Sequence, residues 1–96
     1  MNQNAPYAVK LDTYLATAVA GGQSDLLRVM IRIGGQAGAG GRVHGILGEH
    51  GLTASQVLQS GRLLVVAVST ADLMDLAASA DVERISFDAV VRSSAP

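Results

Sequence analysis

A glycine-rich segment is the first feature whose spacing suggests chemistry. The segment IGGQAGAGG, residues 33–41, follows an apolar run, and the backbone amides of successive glycines can cradle a phosphate group. The G-x-G-x-x-G spacing is absent there, and no Gly-Lys-Ser/Thr follows. We therefore interpret the segment as a connector, and an anion-binding regulatory domain is the weaker alternative.

Two histidines and four serines are the other candidates for chemistry. His44 and His50 are six residues apart, so on a helix they point about 120° away from each other and cannot share a metal ion. Glu49 is the one nearby further ligand, which is too few for a closed site. No serine has the context of a nucleophile elbow; the serines considered are Ser69, Ser86, Ser93 and Ser94. We predict no metal, no cofactor and no enzymatic activity.

The overall composition excludes several classes of partner. Seven lysines and arginines stand against eight acidic residues, and the basic residues are scattered, so there is no electrostatic footprint for nucleic acid. With no cysteine, disulfides, zinc-thiolate sites and thiol catalysis are excluded. No apolar stretch approaches the roughly 18 residues of a membrane span, and MNQNAPYAVK lacks the pattern of a signal peptide. We expect neither nucleic acid nor a membrane as a partner.

The first half of the chain predicts a helix, a strand and one ambiguous element. Apolar positions from Val9 to Val19 follow helical spacing, and Gly21 and Gly22 end that short helix. DLLRVMIRI alternates between an apolar and a polar face, which is typical of a strand. Residues 42–50 favour a helix that ends before Gly51, but a strand over RVHGIL is the rival interpretation.

The second half predicts two strands, a helix and a final strand. TASQVLQ is a weak strand, SGR is a turn in which Gly61 takes a positive φ, and LLVVAV is a strong strand. STADLMDLAAS predicts a helix capped by Ser69 or Thr70, with Asp72 in its first turn. In the last strand, VERISFDAVV, we expect the side chains of Ile85, Phe87 and Ala89 to share one face.

This element order predicts an α+β fold of the ferredoxin-like type. A βαββαβ arrangement forms a four-stranded antiparallel sheet, with the first and third strands in the middle and both helices on one face, after a short N-terminal helix. The predicted division of the chain is an N-terminal arm and helix over residues 1–22, a domain over residues 23–91 and a C-terminal tail over residues 92–96.

The strand LLVVAV is apolar on both of its faces, and the predicted fold covers only one of them. Leu63, Val65 and Ala67 point one way, and the alternate residues point the other way. Met30 or its neighbours on the first strand lie beside the uncovered set. An exposed apolar patch of this kind on a small domain marks a protein interface.

Three stretches carry a resemblance to a known family. LLRVMIRI, the junction VAVSTADLMDLAASADV and the last strand VERISFDAVV, with Asp88 near its end, resemble the propeptides of subtilisin-family serine proteases and the related free-standing inhibitors. KLDTYL resembles a lead-in of one branch of that family. The turn QSGR lacks the acidic residues that some members place there, and Pro96 is unusual before a processing site.

The resemblance implies an inhibitor and folding helper of a subtilisin-type protease. In that family the bare sheet face packs on the protease; here the docking face would consist of Leu63, Val65 and Ala67 or their alternates, beside Met30. The tail lies in the active-site cleft like a product; its residues are Val91, Arg92, Ser93, Ser94, Ala95 and Pro96. An extracellular location follows if the chain belongs to a protease precursor. The alternative is a self-associating or regulatory domain whose apolar sheet face closes a homodimer.

Overall fold

The computed structural model describes residues 10–22 and 25–91 of the 96-residue chain. Three α-helices and four strands follow one another in the described part. In chain order they are α1 (Thr13–Gly21), β1 (Leu26–Ile33), α2 (Ala39–Glu49), β2 (Gln56–Leu58), β3 (Leu63–Val68), α3 (Thr70–Ala78) and β4 (Val82–Val91), with a 3₁₀ turn over Gln59–Gly61.

The strands form one antiparallel sheet in the order β2-β3-β1-β4. The fold is therefore α+β, with the ferredoxin-like order that the sequence predicts and with β1 and β3 in the middle. The ambiguous segment of residues 42–47 is helical, so the strand interpretation is wrong there. The helix α2 also begins at Ala39, inside the segment interpreted as a connector, because the buried Ala39 side chain joins the core.

The core lies between one face of the sheet and the helices. Every second residue of β1 and β3 is buried on this side, as the alternation predicts. The helices contribute apolar side chains to the same cluster: Leu15 and Ala18 from α1, Val43 and Leu47 from α2, and Leu73, Leu76 and Ala77 from α3. All three helices thus bury apolar residues in one core, and α1 is part of it.

One expectation for β4 is wrong. Ile85 and Phe87 lie opposite Ile31 and Val29 on the helix side of the sheet, but Ala89 pairs with Arg28 on the other side. The reason is a β-bulge at this point, where β4 carries one more residue than β1, which reverses the orientation of the residues that follow. Simple alternation along a sequence cannot locate such an extra residue.

Side chains of Asp12 and Ser69 fix the ends of two helices. The Asp12 carboxylate accepts from the backbone N–H of Leu15 at 2.9 Å and from that of Phe87 at 2.6 Å, so it ties α1 to the outer edge of β4. Ser69 is the N-cap of α3 and forms a capping box with Asp72, which confirms the expected start of that helix. Both caps satisfy backbone donors that a helix start leaves unpaired.

Two glycines of the α2 region predict opposite responses to alanine. Gly38 has φ +79°, and an added Cβ comes within 2.9 Å of Arg42 Nη1, so Gly38→Ala should destabilise the domain by about 1 kcal/mol. Gly45 is exposed inside α2 with nothing within 4 Å of an added Cβ, so Gly45→Ala should stabilise it by about 0.5 to 1 kcal/mol. Urea unfolding measures both. Equal effects of the two substitutions would contradict this account of α2.

Candidate protein-binding face

The sheet face that points away from the helices is formed by four rows of cross-strand neighbours. We call it the open face. Its first row consists of Leu58, Leu63, Arg32 and Arg84; its second row of Gln56, Val65, Met30 and Ser86; its third row of Ala67, Arg28 and Ala89; and its fourth row of Leu26 and Val91. No described helix lies over it, since the buried residues of the helices all join the core on the opposite side.

The centre of the open face is apolar, and its exposure varies by position. Val65 is only 7% exposed, because it sits in the middle of the second row between Gln56 and Met30. Met30 and Leu63 are half-buried. Leu58 is 40% exposed at the β2 end of the first row. An apolar strip therefore crosses β2, β3 and β1 without a cover from the described residues.

The structure brings four of the predicted site residues together. Leu63, Val65 and Ala67 lie on the open face, whereas the residues of β3 that alternate with them lie in the core. Met30 is the direct cross-strand neighbour of Val65. Val91 ends β4 opposite Leu26, and both side chains are exposed. The other predicted contact residues lie outside the described residues: Arg92, Ser93, Ser94, Ala95 and Pro96.

Three arginines border the apolar strip on β1 and β4. Arg28 Nε donates to Asp88 Oδ2 at 2.6 Å, which is a charge-assisted hydrogen bond on the surface. Arg32 Nε is 3.9 Å from Glu83 Oε1, and it lies directly opposite Arg84 across the sheet. The alternation in DLLRVMIRI puts Arg28 and Arg32 on the polar face of β1, which is this face, but sequence reasoning missed Arg84 and Leu58. Alternation from Ile85 would have found Arg84, whereas Leu58 requires the register of the β2–β3 pair, in which it lies opposite Leu63.

A cluster of His50, Asp72 and Asp75 lies on the helix side and joins α2 to α3. His50 ends α2, with Nδ1 2.8 Å from Asp72 Oδ1 and Nε2 3.2 Å from Asp75 Oδ2. The carboxylates approach opposite sides of the imidazole ring, so the three groups do not converge on one point. In the described ranges, no group of three histidine or acidic side chains is placed to hold a metal ion.

Competing effects set the ionisation of Asp72. Burial raises the pKa of Asp72, but hydrogen bonds from Ser69 and from His50 outweigh it and hold the pKa below its ordinary value. A hydrogen bond from the Arg42 side chain, at 2.7 Å, likewise lowers the pKa of Asp81. Both carboxylates therefore have a lower pKa in the folded state than in the unfolded state, where it is 3.8. The stability that they contribute is present at pH values above 3.8 and is lost as the pH falls through the lowered pKa.

Acid should therefore destabilise the domain through these two carboxylates. For Asp72→Asn we expect lower stability at pH 7 and a shallower loss of the free energy of unfolding below pH about 4. Asp72→Asn combined with Asp81→Asn should flatten that loss further. Urea unfolding at pH 2 to 7 measures the slopes. Parallel curves for the wild type and both variants would contradict the assignment.

Comparison with family models, curated proteins and solved structures provides no function by similarity. No family model, no curated protein and no solved structure matches this chain. None of the helices in residues 10–22 and 25–91 has the length and hydropathy that a membrane span needs. The open face is therefore the feature from which we infer a function.

Proposed function

We propose that the chain is a propeptide-like domain that binds a subtilisin-type serine protease through the open face. In this proposal it helps the protease to fold and then inhibits it, with the C-terminal tail held in the active-site cleft like a product. The observation that carries the proposal is an antiparallel sheet with three helices on one side and, on the other, an apolar strip that no element in residues 10–22 and 25–91 covers. The sequence resemblance of residues 62–91 to such propeptides supports it.

The size of the open face supports a contact in two parts. The four strands average about seven residues, and a strand spacing of about 4.8 Å with a rise of about 3.4 Å per residue then gives a face of about 440 Å². A stable protein interface buries about 800 Å² on each partner. The open face therefore supplies about half of such an interface. A tail that lies extended in the cleft supplies further area and main-chain hydrogen bonds.

The apolar strip favours a partner that is itself apolar over most of the contact. Burial of apolar surface contributes about 25 cal/mol per Å², and Leu58, Leu63 and Met30 retain surface to bury. The fully buried centre of a protein interface is more apolar than the rest of the surface, and Met is among the residues enriched there.

The test is inhibition of several subtilisin-type proteases by the full chain and by a version that lacks residues 91–96. The proposal predicts inhibition at micromolar or lower concentration that weakens greatly on truncation. Slow recovery of activity over hours indicates a degradable propeptide, and lasting inhibition indicates a stable inhibitor. Sedimentation of the free chain is the control, because it reports the oligomeric state. If the chain is a dimer and inhibits none of the proteases, the homodimer replaces this proposal.

A further inference from the structure

Two arginines face each other directly on the open face. Arg32 of β1 and Arg84 of β4 are cross-strand neighbours in the first row, and both are exposed. Like charges placed directly opposite each other destabilise an antiparallel pair. The isolated fold gains nothing from this arrangement, so its use must be sought outside the fold.

The surrounding acidic residues leave this pair incompletely neutralised. Arg32 Nε is 3.9 Å from Glu83 Oε1, which is beyond hydrogen-bond distance. In residues 10–22 and 25–91, Arg84 has no carboxylate within ion-pair distance. Arg28, which is four residues before Arg32 on β1 and two rows away on the open face, shows the contrast, since its carboxylate partner Asp88 is at 2.6 Å.

We infer that the Arg32 and Arg84 pair binds a carboxylate side chain on the surface of the protease, and this inference rests on the proposed function. The first row places Leu58 and Leu63 at one end and the two arginines at the other. A partner that covers the whole row therefore presents an apolar surface to β2 and β3 and an acidic group to β1 and β4. Two guanidinium groups offer planar, bidentate donors to one carboxylate.

Charge complementarity favours a single protein carboxylate over a polyanion. The chain has a net charge of −1, and Glu83 lies 3.9 Å from Arg32, so a phosphate chain that extends beyond the pair meets repulsion. A single carboxylate within an apolar surface requires only the two arginines. Arginine is enriched in protein interfaces for this kind of contact.

The test compares substitutions at Arg84 in protease inhibition at low and at physiological salt. At low salt we expect Arg84→Gln to weaken inhibition about threefold and Arg84→Glu about tenfold, whereas Arg84→Lys, which keeps the charge but loses the bidentate geometry, should weaken it less than Arg84→Gln does. Arg84→Gln and Arg84→Glu should also reduce the dependence of inhibition on salt. Arg62→Gln is the matched control, because Arg62 precedes β3 outside the open face and its loss changes the net charge equally. It should leave inhibition within about twofold of the wild type.

Thermal unfolding separates this account from a simple loss of folding. Arg84→Glu places an acidic residue opposite Arg32, so the free variant should melt about 2 °C above the wild type even though it inhibits less well. If Arg84→Glu inhibits the protease as strongly as the wild type does, the inference is overturned and the proposed function still stands. Absence of inhibition by the wild type removes both. Self-association that responds to Arg84→Glu assigns the pair to a second copy and also overturns the inference.

Discussion

Leu58→Asp should weaken binding to a subtilisin-type protease by at least about 30-fold, which corresponds to about 2 kcal/mol. Leu58 is 40% exposed on the open face, so the free domain tolerates the change, but the complex must then bury a carboxylate against an apolar surface. An unpaired charge at an interface costs several kcal/mol when it is fully desolvated, and less at the edge. Inhibition kinetics with the purified variant give the change in affinity.

The adjacent residue provides the matched control. Val57 belongs to the same short edge strand and is 54% exposed, but it pairs with Leu64 and therefore points to the helix side. Val57→Asp introduces the same charge at nearly the same place in the chain, and it should leave binding within about twofold. Equal losses for the two variants would contradict the claim that the open face is the contact surface.

Leu76→Ala is expected to have the largest effect on stability. Leu76 of α3 is fully buried in the core, so its truncation leaves a cavity. The chain has few aromatic side chains that could shift to fill this cavity. Substitutions of this kind cost about 2 to 5 kcal/mol. Because a small domain is stable by only about 5 to 15 kcal/mol, this variant should lose a large fraction of its stability and unfold at a clearly lower urea concentration.

The control lies two residues earlier on the same helix. Met74 is 40% exposed, so Met74→Ala removes little buried surface and should change the free energy of unfolding by about 0.5 kcal/mol or less. Urea unfolding of both variants at pH 7 measures the difference. A loss for Leu76→Ala no larger than that for Met74→Ala would show that α3 does not pack as described.

The regular elements could be predicted from the sequence because each has a simple period. Alternation in LLRVMIRI identifies the buried side of β1, and Ser69 with Asp72 marks the start of α3. The buried face of LLVVAV is harder to predict, because both faces of this strand are apolar and the alternation of side chains alone cannot show which face is covered. Only the position of the helices decides that Leu63, Val65 and Ala67 face outward.

Other features depend on contacts that no local pattern encodes. The bulge that turns Ala89 to the open face results from pairing with β1, which is distant in sequence. Asp12 caps α1 and also reaches Phe87, 75 residues further along the chain. The helix α2 starts among glycines because tertiary burial of Ala39 outweighs their low helix propensity. The opposition of Arg32 and Arg84 likewise requires the register of the sheet.

The methyl groups of two methionines can report directly whether the open face is the surface that binds the protease. Met30 lies in the middle of the open face, and Met74 is exposed on α3 outside it. The chain labelled at its methionine methyl carbons is titrated with a subtilisin-type protease whose nucleophilic serine has been replaced, so that no cleavage occurs. The account predicts that the Met30 methyl resonance shifts or broadens at equimolar protease while that of Met74 stays in place. An unchanged Met30 resonance in a saturated complex, or a shift at Met74 alone, would contradict it.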